Sequence, residues 1–101
     1  MGWATRHIER LQQGDTIKFR PSGHSMLGRV NHRDLCTVAP CTPETPLQTG
    51  DVVLCKVNGA QYLHLIKGVA GERYLIGNNR GGTNGWINRS AIYGKLIAVE
   101  P

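Results

Sequence analysis

Three absences narrow the reading of these 101 residues before any motif is considered. No apolar run is long enough to span a bilayer, and the first residues lack the basic, apolar and small-residue succession of a secretion signal. The expectation is a soluble, cytoplasmic protein with no membrane partner. Blocks of like charge are also missing. The formal net charge is +5, but the twelve Lys and Arg residues are scattered from Arg6 to Lys95. A solvated basic surface explains this better than a dedicated nucleic-acid patch, which leaves nucleic-acid binding driven by the positive charge as the third reading of function, behind the two given below. The third absence is a C-x-x-C pair. Cys36, Cys41 and Cys55 form an odd set, and Cys36 and Cys55 sit in apolar stretches where a reduced thiol behaves as a small core residue. His24, His32, Cys36 and Cys41 match no common zinc spacing, so neither a metal nor another cofactor is expected.

Glycine, by contrast, is frequent, at 13 residues, and it separates short apolar runs. Residues 3–13 place Trp3, His7, Ile8 and Leu11 at helical spacing before Gly14. Residues 16–20 alternate as a half-buried strand and end at Pro21. Further strands are expected over residues 35–39, 52–57, 61–67, 73–76 and 92–99. Asn58-Gly59 between two of them is a strong hairpin signal. Residues 77–85, rich in Gly and Asn, read as a loop. Short strands at close spacing with one small helix predict a mostly β, barrel-like or two-sheet single domain over residues 1–101.

Pro21-Ser22-Gly23-His24-Ser25-Met26 is the chemically suggestive stretch. Proline stops the preceding ladder and Gly23 permits backbone geometry closed to other residues, which suits an exposed serine nucleophile. An ordinary surface turn has the same composition. Serine needs a base. His24 adjoins Ser25 and points away from it on extended chain. His7 belongs to the helix and His32 to a polar turn. His64 lies within an apolar strand, where a histidine is more often structural than catalytic.

What raises His64 is an ordered pattern. Ser22-Gly23-His24-Ser25-Met26, then Asp34-Leu35 before a strand, then Gly50-Asp51-Val52-Val53 and the Asn58-Gly59 hairpin resemble the superfamily of signal peptidases and LexA/UmuD-type self-cleaving proteins. Tyr93 to Val99 resembles that family's last strand. The resemblance implies a coiled β-sheet, partly open barrel, with peptide-bond hydrolysis by a serine. Ser25 takes the nucleophile's place, and the Ser25 and Met26 N–H groups are expected in the oxyanion hole. Where most relatives carry a lysine base, this chain has His64, as the eukaryotic and archaeal signal peptidases do. Lys67, an odd number of residues further on, is expected on the other strand face. Those histidine-bearing relatives add an aspartate in Gly-Asp-Asn. Here the stretch is Gly77-Asn78-Asn79, so Asn78 is the expected partner for the histidine, as asparagine is in papain-like sites.

The resemblance therefore implies a small serine peptidase with a Ser25/His64 dyad acting on another protein or peptide. The alternative is a catalytically silent domain of this fold that binds a protein partner or forms a homodimer.

Overall fold

Ala4, Ile8 and Leu11 lie on one stripe of the N-terminal segment, and burying that stripe fixes helix α1, Thr5–Gln12. The computed structural model describes residues 2–23 and 26–101. Gly14, at φ 93°, ends the helical course, which is shorter than the expected 3–13. The chain then forms β1 (Ile17–Phe19), β2 (Leu35–Pro40), β3 (Val52–Val57), β4 (Ala60–Ala70), β5 (Arg73–Gly77), β6 (Thr83–Asn88) and β7 (Ile92–Glu100). Among the described residues these make one seven-stranded antiparallel sheet, ordered β1-β2-β7-β3-β4-β5-β6. The mostly β architecture with one short N-terminal helix is thus as expected. No described helix is long and apolar enough to cross a membrane.

β3 explains why the sheet holds together. It has neighbours on both sides, β7 and β4, and its alternating residues feed two cores. Val52 and Leu54 join α1 residues Ile8 and Leu11, together with Met26 and Val30. Val53, Cys55 and Val57 face the opposite way, towards Ile66, Ile76, Ile87 and Ile92. Period-two alternation in a strand buried on both faces gives this division directly. The β3–β4 hairpin closes at Asn58 and Gly59, with φ of 50° and 84°, joining Val57 to Ala60. Two successive positive φ values are what a tight hairpin turn of this hand requires.

Two departures from the expected elements shape the candidate site. The stretch read as a loop over residues 77–85 is a loop only to residue 82, and Thr83–Asn88 pairs with β5 as a full strand. β4 runs three residues past the expected end, to Ala70, because β5 pairs with it there. That longer strand has two unequal halves. β3 flanks residues 60–65, whereas β5 begins pairing only at Leu65.

Candidate active site

Ser25 and His24 lie outside the described residues, so the nucleophile expected at Ser25 is approached through its neighbours. Gly23 has φ 114°, a value that favours glycine, and its N–H donates to His32 Nδ1 at 3.0 Å. On the other side Met26 is buried in the helix-side core, and its carbonyl accepts the N–H groups of Arg29 and Val30. The turn that follows is fastened at three places. Arg29 donates to the Gly50 carbonyl at 2.6 Å, Asn79 Nδ2 donates to the Leu27 carbonyl at 2.7 Å, and the Arg33 N–H donates to the Pro21 carbonyl at 2.8 Å. The turn after Met26 is therefore anchored to the β3 entry and the β5–β6 loop.

A cleft of about 600 Å³ is lined by Gly23 and Met26, by Gln61, Tyr62, Leu63 and His64 of β4, and by Trp3, His7 and Phe19. Gln61 and Leu63 point to one face of β4, Tyr62 and His64 to the opposite face. All four reach the cleft because β4 presents it with an edge rather than a face. The Ile66 N–H and carbonyl bond to Asp51 and Gly50, on the β3 side. Strand alternation then turns the backbone of Gln61, Leu63 and Leu65 the other way. Leu65 meets Gly77 of β5 there. Leu63 meets no hydrogen-bond partner among the described residues.

His64 is 8 % exposed. Its ring stacks on Tyr62 with centroids 4.7 Å apart, and Nδ1 lies 3.0 Å from Oδ1 of Asn84. An amide oxygen only accepts, so Nδ1 carries the proton and the neutral ring keeps its lone pair on Nε2. Burial pushes the His64 pKa below its ordinary 6.5, and the hydrogen bond that Nδ1 donates to Asn84 opposes that shift only partly. The imidazole is thus neutral at neutral pH, the form in which a histidine can accept a proton.

The partner of His64 is a correction to the sequence reading. Asn78, expected to orient the histidine, instead turns its Oδ1 to the N–H groups of Arg80 and Gly82 and closes the β5–β6 loop. Asn84 takes the role because of a β-bulge. Ile76 pairs with Gly85 and Gly77 with Thr83, leaving Asn84 as the extra residue on β6. Gly85, at φ 137°, accommodates the bend. Bulges re-aim a side chain in this way. One local feature could have pointed to Asn84: an Asn-Gly pair inside a strand-length run. Lys67 is also a bulge residue, between the Ile66–Ile76 and Gly68–Leu75 pairs. Its Nζ donates to the Asn78 carbonyl at 3.0 Å.

The two buried thiols are chemically quiet. Burial, aided by Asp34, lifts Cys36 to about 11, and burial lifts Cys55 to about 12. Among the described residues no group of three or more His, Cys, Asp and Glu side chains is placed to hold a metal ion. Compared with protein-family models, curated proteins and solved structures, the chain finds no significant match.

Proposed function

We propose that the chain is a serine peptidase of the LexA and signal-peptidase type, with Ser25 as nucleophile and His64 as general base, acting on an extended segment of another protein. The observation that carries this reading is His64 itself. It is a neutral histidine, held by Asn84 through Nδ1, and it lines the same cleft as Gly23 and Met26, which bracket Ser25 in the chain. In the first step Nε2 takes the Ser25 hydroxyl proton as the oxygen attacks the peptide carbonyl. The resulting imidazolium then gives that proton to the leaving amine. The Met26 N–H, at the start of its turn, is assigned to the developing oxyanion together with that of Ser25. The open edge of β4 at Leu63 supplies ladder hydrogen bonds for a substrate strand. A coiled, partly open barrel of the family type belongs to the same reading, which the seven-stranded antiparallel sheet and its bulges support.

The test is covalent labelling with a fluorophosphonate, paired with digestion of a panel of unfolded proteins read by mass spectrometry. Label on Ser25 that is lost in Ser25→Ala, with new peptide termini in the digests, is the expected result. Equal labelling of the variant removes Ser25 from the chemistry. Neither label nor new termini leaves a silent binding or dimerisation module. That second reading draws on Ile97 and Val99, which β7 exposes at 57 % and 38 %.

A further inference from the structure

The part of the cleft lined by Trp3, His7 and Phe19 carries chemistry that the dyad does not use. Trp3 is 51 % exposed, unusual for the largest apolar side chain of a small domain, yet it is fixed in place. Its indole Nε1 donates to the Gln61 carbonyl at 3.1 Å, on the outward edge of β4. The helix start is tied to the same strand by the Ala4 N–H, which donates to Gln61 Oε1 at 2.6 Å. Behind the indole, His7 stacks on Phe19 with ring centroids 4.4 Å apart, and Trp3 leans on Phe19 at 5.7 Å. Burial and the nearby Arg10 both hold His7 below its ordinary pKa, so the wall is an uncharged aromatic surface at neutral pH.

The indole does two things at once. By occupying the Gln61 carbonyl it ends the free edge, so a peptide pairs through Leu63 and cannot continue along β4. By standing at that point it faces whichever peptide side chain comes next. No acidic side chain lines the cleft among the described residues, and the charge it presents is Arg20. Arg20 also donates to the Arg33 carbonyl at 2.8 Å. A cleft that pairs an apolar wall with a positive charge favours a bulky apolar side chain with an acidic neighbour.

We propose that Trp3, backed by Phe19 and His7, forms a specificity subsite that selects extended peptides carrying an aromatic or large aliphatic side chain next to an acidic residue, and that it caps the strand pairing at Gln61. The subsite rests on the reading of the β4 edge as the peptide site, though binding there does not require cleavage.

The experiment keeps the two apart. Ser25→Ala protein is immobilised and panned against a display library of random dodecapeptides, and the same panning is repeated with Trp3→Ala and Trp3→Phe in that background. Enrichment of an aromatic or large aliphatic position beside Asp or Glu is expected. A selected peptide should lose affinity about tenfold or more in Trp3→Ala, the loss of one well-packed aromatic anchor. Trp3→Phe, which keeps a ring but not the N–H, should retain the apolar preference and admit longer strand-pairing peptides. Circular dichroism checks that both variants fold. Enrichment without an apolar position, the same preference in Trp3→Ala, or no enrichment at all overturns the subsite. Enrichment by Ser25→Ala of peptides that the wild-type protein does not cleave leaves the subsite standing and removes the peptidase reading.

Discussion

Cys55 and His64 sit on adjacent strands, both buried, both titratable, and burial acts on each by the same rule. It disfavours the charged form. For Cys55 the charged form is the reactive one, so lifting the thiol to about 12 silences it. For His64 the neutral form is the useful one, so burial keeps the base ready. The surroundings complete the difference. Cys55 belongs to a strand with partners on both sides and an apolar core around its side chain. His64 lies just before Leu65, where pairing with β5 begins, and a bulged strand beyond delivers Asn84 to its Nδ1. The same desolvation makes one position inert and the other a candidate base, and the open half of β4 is what sets them apart.

The sharpest way to break the comparison is to remove the base. His64→Ala should slow Ser25 labelling and any peptide cleavage by roughly 10²–10⁴-fold, the usual contribution of a general base. Native Cys55 and Cys36 should meanwhile resist iodoacetamide at pH 8, whereas unfolded protein reacts at all three cysteines. Full activity in His64→Ala would make the histidine a packing residue like Cys55. Next in size is the core that holds β3 in place. Leu54 is fully buried, and Leu54→Ala should cost about 2–5 kcal/mol in urea unfolding, as a cavity in a well-packed interior does. A loss below 1 kcal/mol would mean that β3 is not the packed partner described.

Asn84→Ala tests the bulge. It should lower the labelling rate by about 10–100-fold, the size seen when the group orienting a metal-bound histidine is removed, while Asn78→Ala acts on loop stability instead. The reverse ranking would return the orienting role to Asn78. The smallest effect is on stability. His64 titrates near 6.5 when unfolded and lower when folded, so between those values the unfolded chain binds more protons. Stability from this group is complete above about pH 6.5 and declines as pH falls through the window below it. Urea midpoints at pH 7.5 and 5.5 should therefore differ more for wild type than for His64→Gln, which removes the His64 contribution and leaves that of His7. An equal drop in both would assign the pH dependence to other groups.

Much of this arrangement was legible before any coordinates. The Asn58-Gly59 turn, the alternation of residues 52–57 and the helical spacing of α1 are local signals, and each corresponds to an observed element. β6 was not legible, because Asn84 and Gly85 have poor intrinsic strand preference and are strand only by pairing with β5. The same non-locality hid Asn84. Its place beside His64 depends on where β5 stops and on one extra residue in β6, and neither is written in the spacing from His64. His64 was found through a resemblance to a family pattern, and the base role it implies rests on the proposal. Ser25 stays a sequence-based assignment, flanked by Gly23 and Met26 at the cleft.

The central claim is that a neutral His64, held by Asn84, activates Ser25. The most direct measurement is the pH dependence of fluorophosphonate labelling of Ser25 in wild type and in Asn84→Asp. Wild-type labelling should rise along a single acid limb with its midpoint below 6.5 and then level off. A carboxylate at position 84 favours the imidazolium, so the limb should move to higher pH in Asn84→Asp. A limb that stays in place in the variant, or that persists in His64→Ala, would contradict the account.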